Sequence, residues 1–137
     1  MISYSAVNDF EPDNWSELVK WITTTITEEN YQTDYVDYIF CDDNYLGKIN
    51  YKYLKHKTLT DIITFNYNDG NLISGDIFIS IERVRENANA YSDSFRNELH
   101  RVMIHGVLHL CGYNDKTNDE KAIMRQKEDY YLSLRTF

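Results

Sequence analysis

The sequence predicts an α/β (α+β) domain: a small mixed sheet of about four strands with helices packed on it. Three observations predict it. Segments rich in β-branched and aromatic residues alternate with segments whose apolar residues recur at helical spacing. Turn and cap signals fall between them. The chain has 137 residues, 42% of them hydrophobic, which suits a single domain over 1–137 with one core.

The elements follow in order. "MISYSAV" alternates and reads as a first strand. Asp13 or Asn14 can cap a helix that places Leu18, Val19, Ile22 and Ile26 on one face. "TDYVDYIFCDD" reads as a strand, and Asp42 or Asp43 then caps a short helix through "DNYLGKINYKYL". "LTDIITFNY" is the next strand, "NDGN" a turn, and "GDIFISIE" the strand that pairs back. "RVRENANAYS" reads as helical. Asp93 or Ser94 starts a long helix through Cys111, and Gly112 marks its end. Thr117 and Glu120 form a capping box before the last helix, "DEKAIMRQKEDYYLSL". The predicted order is β-α-β-α-β-β-α-α-α.

Composition narrows the function. The formal net charge is −8, so nucleic-acid binding driven by overall charge is disfavoured, although a local basic patch can still hold phosphates. With two cysteines, Cys41 and Cys111, a disulfide framework is not expected. The N-terminal stretch lacks the basic start and apolar run of a signal peptide, and no apolar run approaches the ~20 residues that span a bilayer. A cytoplasmic protein without membrane partners is expected.

The stretch that carries chemistry is "HRVMIHGVLHLCGYNDKTNDE", residues 100–120. His105 and His109 are spaced i, i+4, so on a helix they are neighbours on one face. Two imidazoles so placed can share a tetrahedral metal. Gly112 lets the backbone leave the helix, and Asp115 can swing back as a third donor. The spacing matches the metzincin form H-E-x-x-H-x-x-G-x-x-H. Gly106 stands where the glutamate base of those proteases would be, which disfavours a protease. A histidine pair at this spacing also arises as packed or surface rings with no metal.

The same stretch, "HGVLHLCGYND", resembles the H-G-x-L-H-L-x-G-Y-D-H signature of the YbeY family of bacterial endoribonucleases. "LTDIITF" resembles that family's T-D-V-L-S-F strand, "GDIFIS" its G-D-I-x-I-S strand, and Ile49–Asn50 its leucine-asparagine pair. Met124 and Glu128 fit the helix after the metal loop. The resemblance covers roughly residues 46–132. It implies one Zn2+ per chain, held by three residues that fall here on His105, His109 and Asp115. It also implies hydrolysis of RNA phosphodiesters by metal-activated water, in maturation of the small-subunit ribosomal RNA 3′ end and in ribosome quality control. Ribosomal RNA is the implied partner, with ribosomal proteins as further ones.

Two positions depart from the family. Asp115 replaces a histidine, which adds a negative charge and should weaken the metal as a Lewis acid. A two-His, one-carboxylate set also suits iron or manganese. The family's catalytic arginine falls on Leu54, so the neighbouring Lys55, His56 and Lys57 are the candidates to supply catalytic positive charge beside His105.

Lys48, Lys52, Lys55, His56 and Lys57 form a cluster with no acid among them. The cluster is read as a substrate-binding rim of Lys48, Lys52, Lys55 and Lys57, or else as a solvated helix face. Tyr51 and Tyr53 could stack on bases, or pack. Cys111, Met103 and Met124 read as packing, with Met124 under the metal loop. Glu98 lies two turns before His105, roughly 10 Å along the axis, and is expected at the surface or behind a ligand. Asp61 and Asp76 begin strands beside the cleft, where either could orient a ligand histidine. His100 has no evident partner. The expected function is thus a metal-dependent endoribonuclease. The alternatives are a non-catalytic ribosome-assembly factor with a structural metal, and a metal-dependent hydrolase of another substrate.

Overall fold

Among the described residues, nine elements form in the predicted order. The computed structural model describes residues 1–54 and 60–137. They are β1 Ile2–Ala6, α1 Trp15–Glu28, β2 Gln32–Cys41, α2 Asp43–Leu54, β3 Ile62–Asn66, β4 Leu72–Ser80, α3 Ile81–Ala90, α4 Phe95–Leu110 and α5 Asn118–Ser133. The sheet order is β1-β2-β4-β3. β1, β2 and β4 run parallel, and β3 pairs antiparallel with β4 at one edge. This is an α+β fold with a mixed four-stranded sheet.

Cap chemistry sets most boundaries. Asp42 Oδ1 accepts from the Tyr45 amide at 2.8 Å and so caps α2. Asp43 instead accepts from Ser80 Oγ and Arg83 Nη2, each at 2.7 Å. Ser80 caps α3, which is why Ile81 and Glu82 leave the strand and begin a helix. Ser94 caps α4, and Asp93 braces that cap through Asn97. The capping box of Thr117 and Glu120 forms at α5. The cap of α1 departs from expectation. Asn14 holds the position with a left-handed backbone, φ 57, and makes no side-chain cap bond.

Helix α4 is apolar nearly all round because it is covered on several sides. Val102, Met103, Ile104, Val107 and Leu108 pack with Leu18, Ile22 and Ile26 of α1 and with Val36, Tyr38, Phe40, Ile77 and Ile79 of the sheet. Tyr38 is fully buried, and its hydroxyl donates to the Met103 carbonyl at 3.0 Å. That bond removes the cost of a buried unpaired hydroxyl. Burial also pushes the Tyr38 phenol well above its usual range. A smaller cluster of Cys41, Leu46 and Ile63 lies under α2 on the other face of the sheet.

Gly106 explains how close α4 comes to the sheet. A Cβ there would stand 2.9 Å from Ile62 Cδ1 and 3.0 Å from Ile77 Cγ2. The position next to His105 therefore faces β3 and β4. A glutamate at 106 would be driven into the core and not toward a metal.

Candidate metal centre

The C-terminal half of α4 presents His105 and His109 one turn apart, with their rings at 82° to each other. The helix then ends in a Schellman turn. The Gly112 amide donates to the His109 carbonyl at 3.0 Å and the Tyr113 amide to the Leu108 carbonyl at 3.1 Å. Gly112 takes φ 100, a region that glycine enters without Cβ strain. The chain reverses there and brings Asp115 back over the two rings.

The three donors converge. His105 Nε2 and His109 Nε2 are 3.0 Å apart. Asp115 Oδ2 lies 3.2 Å from the first and 3.5 Å from the second. A tetrahedral centre with bonds of about 2.1 Å spaces its donors about 3.4 Å apart. The triangle fits one such ion. These three are the His, Cys, Asp or Glu groups that meet this way among the described residues.

Proton positions also fit. His109 Nδ1 lies 2.8 Å from the Tyr113 carbonyl. A carbonyl only accepts, so Nδ1 carries the hydrogen and Nε2 keeps its lone pair. His105 Nδ1 lies 2.6 Å from Glu128 Oε2, which assigns its hydrogen in the same way. Each ring is thus held from behind and offers Nε2 to the shared point. Burial lowers the affinity of His105 for a second proton, but Glu128, Asp115 and Asp61 outweigh it and raise its pKa. Burial and the neighbouring His105 lower that of His109.

The site opens into a cleft. Its lining includes Asn50 of α2, Asp61 and Thr64 beside and on β3, Glu98 and Arg101 of α4, and Glu128 of α5. Arg101 lies one turn before His105, and its Nη1 donates to Glu128 Oε1 at 3.0 Å. It also pairs with Asp129 at 2.9 Å. Glu98 is 5% exposed, so it is not at the surface. Burial, helped by the Asp61 carboxylate, pushes its carboxyl up to about 7. Burial likewise raises the pKa of Asp61, which feels the His105 charge.

The strand-end aspartates divide. Asp61 lies in the cleft. Asp76 does not, because Gly75 and Ile77 face α4 and the alternation of β4 turns Asp76 to the other side. Its carboxyl neighbour there is Asp37. Cys111, Met103 and Met124 are buried as packing residues, and burial pushes the Cys111 thiol up to about 12. His100 gains a partner that its sequence neighbours did not reveal. Arg135 Nη1 donates to its Nδ1 at 2.8 Å.

The basic cluster is only partly described. Lys48 and Lys52 are exposed on α2 and are not among the cleft's lining residues, whereas Asn50 is. Tyr51 is exposed as well. Lys55, His56 and Lys57 lie outside the described residues, as does the side chain of Tyr53. Three features were missed in sequence: the Glu128–His105 bond, the Arg101–Glu128 pair and the Glu29–Tyr113 bond. Glu128 had a signal, its place in the helix after the metal loop.

The fold and the donor set define an α+β domain with a His–His–Asp centre at the end of a buried helix. The family model described as "Endoribonuclease YbeY" matches residues 2–135. The chain belongs to the YbeY endoribonuclease family. It is 52% identical over 134 residues to a protein named endoribonuclease YbeY from Flavobacterium psychrophilum, covering 98% of this chain and 96% of that one. It is 48% identical to the protein of the same name from Flavobacterium johnsoniae, with the same coverage. In fold it is similar to the solution structure of TM1509 from Thermotoga maritima. The TM-score is 0.68 at 24% identity, covering 97% of this chain and 87% of that one. No described helix is long and apolar enough to cross a membrane.

Proposed function

We propose that this chain is a zinc-dependent endoribonuclease that cleaves ribosomal RNA in the cytoplasm. The observation that carries the reading is the convergence of His105 Nε2, His109 Nε2 and Asp115 Oδ2, with both Nδ1 atoms held, in an open cleft of a YbeY-family chain. A metal ion bound there would supply a Lewis acid that makes water more acidic and polarises a phosphoryl oxygen. Structural zinc sites are closed by four protein ligands, and a fourth is lacking among the described residues. That supports an open, hydrolytic site. The donor set also suits iron or manganese.

The chain's own residues divide the remaining work. Glu128 accepts the His105 Nδ1 hydrogen and keeps Nε2 free of it. The Tyr113 carbonyl does the same for His109. Asp115 adds a negative charge that tempers the acidity of the centre. Arg101 places positive charge in the cleft, and Lys55, His56 and Lys57 remain candidates for the charge that the family's arginine would give. The family resemblance directs the substrate to the 3′ end of small-subunit RNA and the setting to ribosome quality control, with ribosomal proteins as partners.

His105→Ala tests the reading. Cleavage of a ribosomal RNA fragment should fall by at least two orders of magnitude, the scale on which a catalytic group acts, and bound zinc should be lost. Full cleavage with unchanged zinc would sink it. Leu54 at the arginine position favours a second reading, an assembly factor whose metal is structural. That reading requires wild type to hold one zinc and cleave no RNA.

A further inference from the structure

The cleft is walled on one side by α5. The stripe of α5 that lines it contains Lys121, Arg125 and Glu128, positions i, i+4 and i+7 of one helix face. Glu128 ends that stripe on His105. Arg125 and Lys121 therefore stand roughly 4 and 10 Å further along the helix axis. Lys116 joins them from the loop just after Asp115 and also lines the cleft.

These cations are little neutralised. No ion pair joins Lys116 or Lys121 to a carboxylate among the described residues. The side chain of Arg125 is 63% exposed, and its ion pair with Glu128 Oε1 is long, at 3.7 Å. The acids of the same turn face elsewhere. Glu120 folds back to accept from the Thr117 and Lys116 amides, and Asp119 does not line the cleft. The opposite wall carries Thr60, Thr64 and Asn66 at the edge strand, with the buried carboxyl of Asp61 among them. Tyr91, 66% exposed, also lines the cleft.

We propose that Lys116, Lys121 and Arg125 form a phosphate-binding rim for single-stranded RNA that crosses the His105–His109–Asp115 site. The proposal rests on the RNA-cleaving reading above and says where on the protein the substrate backbone lies. In a chain of net charge −8, a polyanion needs local cations to enter. A cation row on one wall positions a backbone without reading sequence. Hydrogen-bonding groups opposite, and an open tyrosine ring, suit the exposed base edges and faces of a single strand.

The test is binding of metal-loaded protein to a short single-stranded RNA with methylated 2′-hydroxyls, followed by fluorescence anisotropy across a salt series. The variant is Lys121→Gln with Arg125→Gln. The comparison is Lys20→Gln with Arg85→Gln, which removes the same charge from α1 and α3, outside the cleft lining. Affinity in the α5 variant should fall about tenfold at low salt. Its log–log salt slope should shrink by about 1.4, or 0.7 for each of two lost phosphate contacts. Zinc content should not change, and the variant of α1 and α3 should keep a slope close to wild type. An α5 variant with wild-type affinity and slope would overturn the rim while leaving the RNA reading intact. So would an equal loss in the variant of α1 and α3. Wild type that fails to bind the RNA would overturn both.

Discussion

The hydroxyl of Tyr113 donates to Glu29 Oε1 at 2.6 Å, joining the metal loop to the residue that follows α1. Glu29 also accepts from Tyr131 Oη, and from Lys127 Nζ at 3.1 Å. The Tyr113 carbonyl meanwhile holds His109 Nδ1. One carboxylate thus ties α1, α5 and the loop that orients a donor ring. Burial works to raise the Glu29 carboxyl, but bonds from Tyr113, Tyr131 and Lys127 outweigh it and hold the pKa below the usual range.

Tyr113→Phe removes that hydroxyl and leaves the carbonyl in place. Glu29 keeps two of its donors, and the loss should be about 1.5–3 kcal/mol of stability, the scale of one hydrogen bond to a charged group. Zinc affinity should fall only a few-fold, because His109 retains its own partner. Denaturant titration and a competitive chelator assay read the two effects separately. A variant as stable as wild type would mean that the bond contributes nothing.

Glu128 acts on the metal site more directly. It accepts from His105 Nδ1 at 2.6 Å and from Arg101 at 3.0 Å. Glu128→Ala should cost about 10–100-fold in zinc affinity, the usual penalty for losing a group that orients a ligand. Glu128→Gln keeps an oxygen able to accept the Nδ1 hydrogen and should retain most of the affinity. Equal losses in the two variants would show that the carboxylate charge, and not the orientation of the ring, is what matters.

The local parts of this site could be read in the chain. His105 and His109 meet because of helical spacing, and Gly112 reverses the backbone because glycine can take φ 100. Spacing rules cover both. The Glu128–His105 bond depends on how α5 docks against α4, across 23 residues, and the Glu29–Tyr113 bond spans 84. No local period encodes those contacts. Asp61 and Asp76 looked equivalent as strand-end carboxylates, and strand alternation separated them. The boundary at Ser80 was missed for a similar reason: alternation carries on through Ile81, but the Ser80 hydroxyl caps a helix instead.

Gly106→Ala should separate packing from chemistry. The added Cβ would press on Ile62 Cδ1 at 2.9 Å and on Ile77 at 3.0 Å. Overpacking of this kind typically costs about 1–3 kcal/mol. The flexible end of Ile62 gives more readily than backbone would, which places the effect toward the lower end. The donor rings of His105 and His109 are not among the atoms that the new Cβ meets, so zinc content should match that of wild type. Thermal unfolding and elemental analysis check the two halves. An unchanged midpoint would show that β3 moves aside freely.

His100 predicts a pH dependence of stability. The ring is buried between Trp21 and Phe137 and accepts from Arg135 Nη1 at 2.8 Å. Burial, with the positive charge of Arg135 and Arg96, pushes its pKa down to about 4. In the unfolded chain the ring titrates near 6.5. Between those values the unfolded state binds more protons than the folded state, so stability rises with pH. The contribution is present above about pH 6.5 and is lost as the pH falls toward 4. His100→Gln removes the titration but keeps an oxygen that can accept from Arg135. Wild type should lose denaturant midpoint steadily from pH 7 to pH 4.5, while the variant should lose less over the same interval. Both proteins are compared free of metal, so that proton competition at His105 and His109 does not enter. Parallel slopes for the two proteins would show that His100 does not govern this pH window.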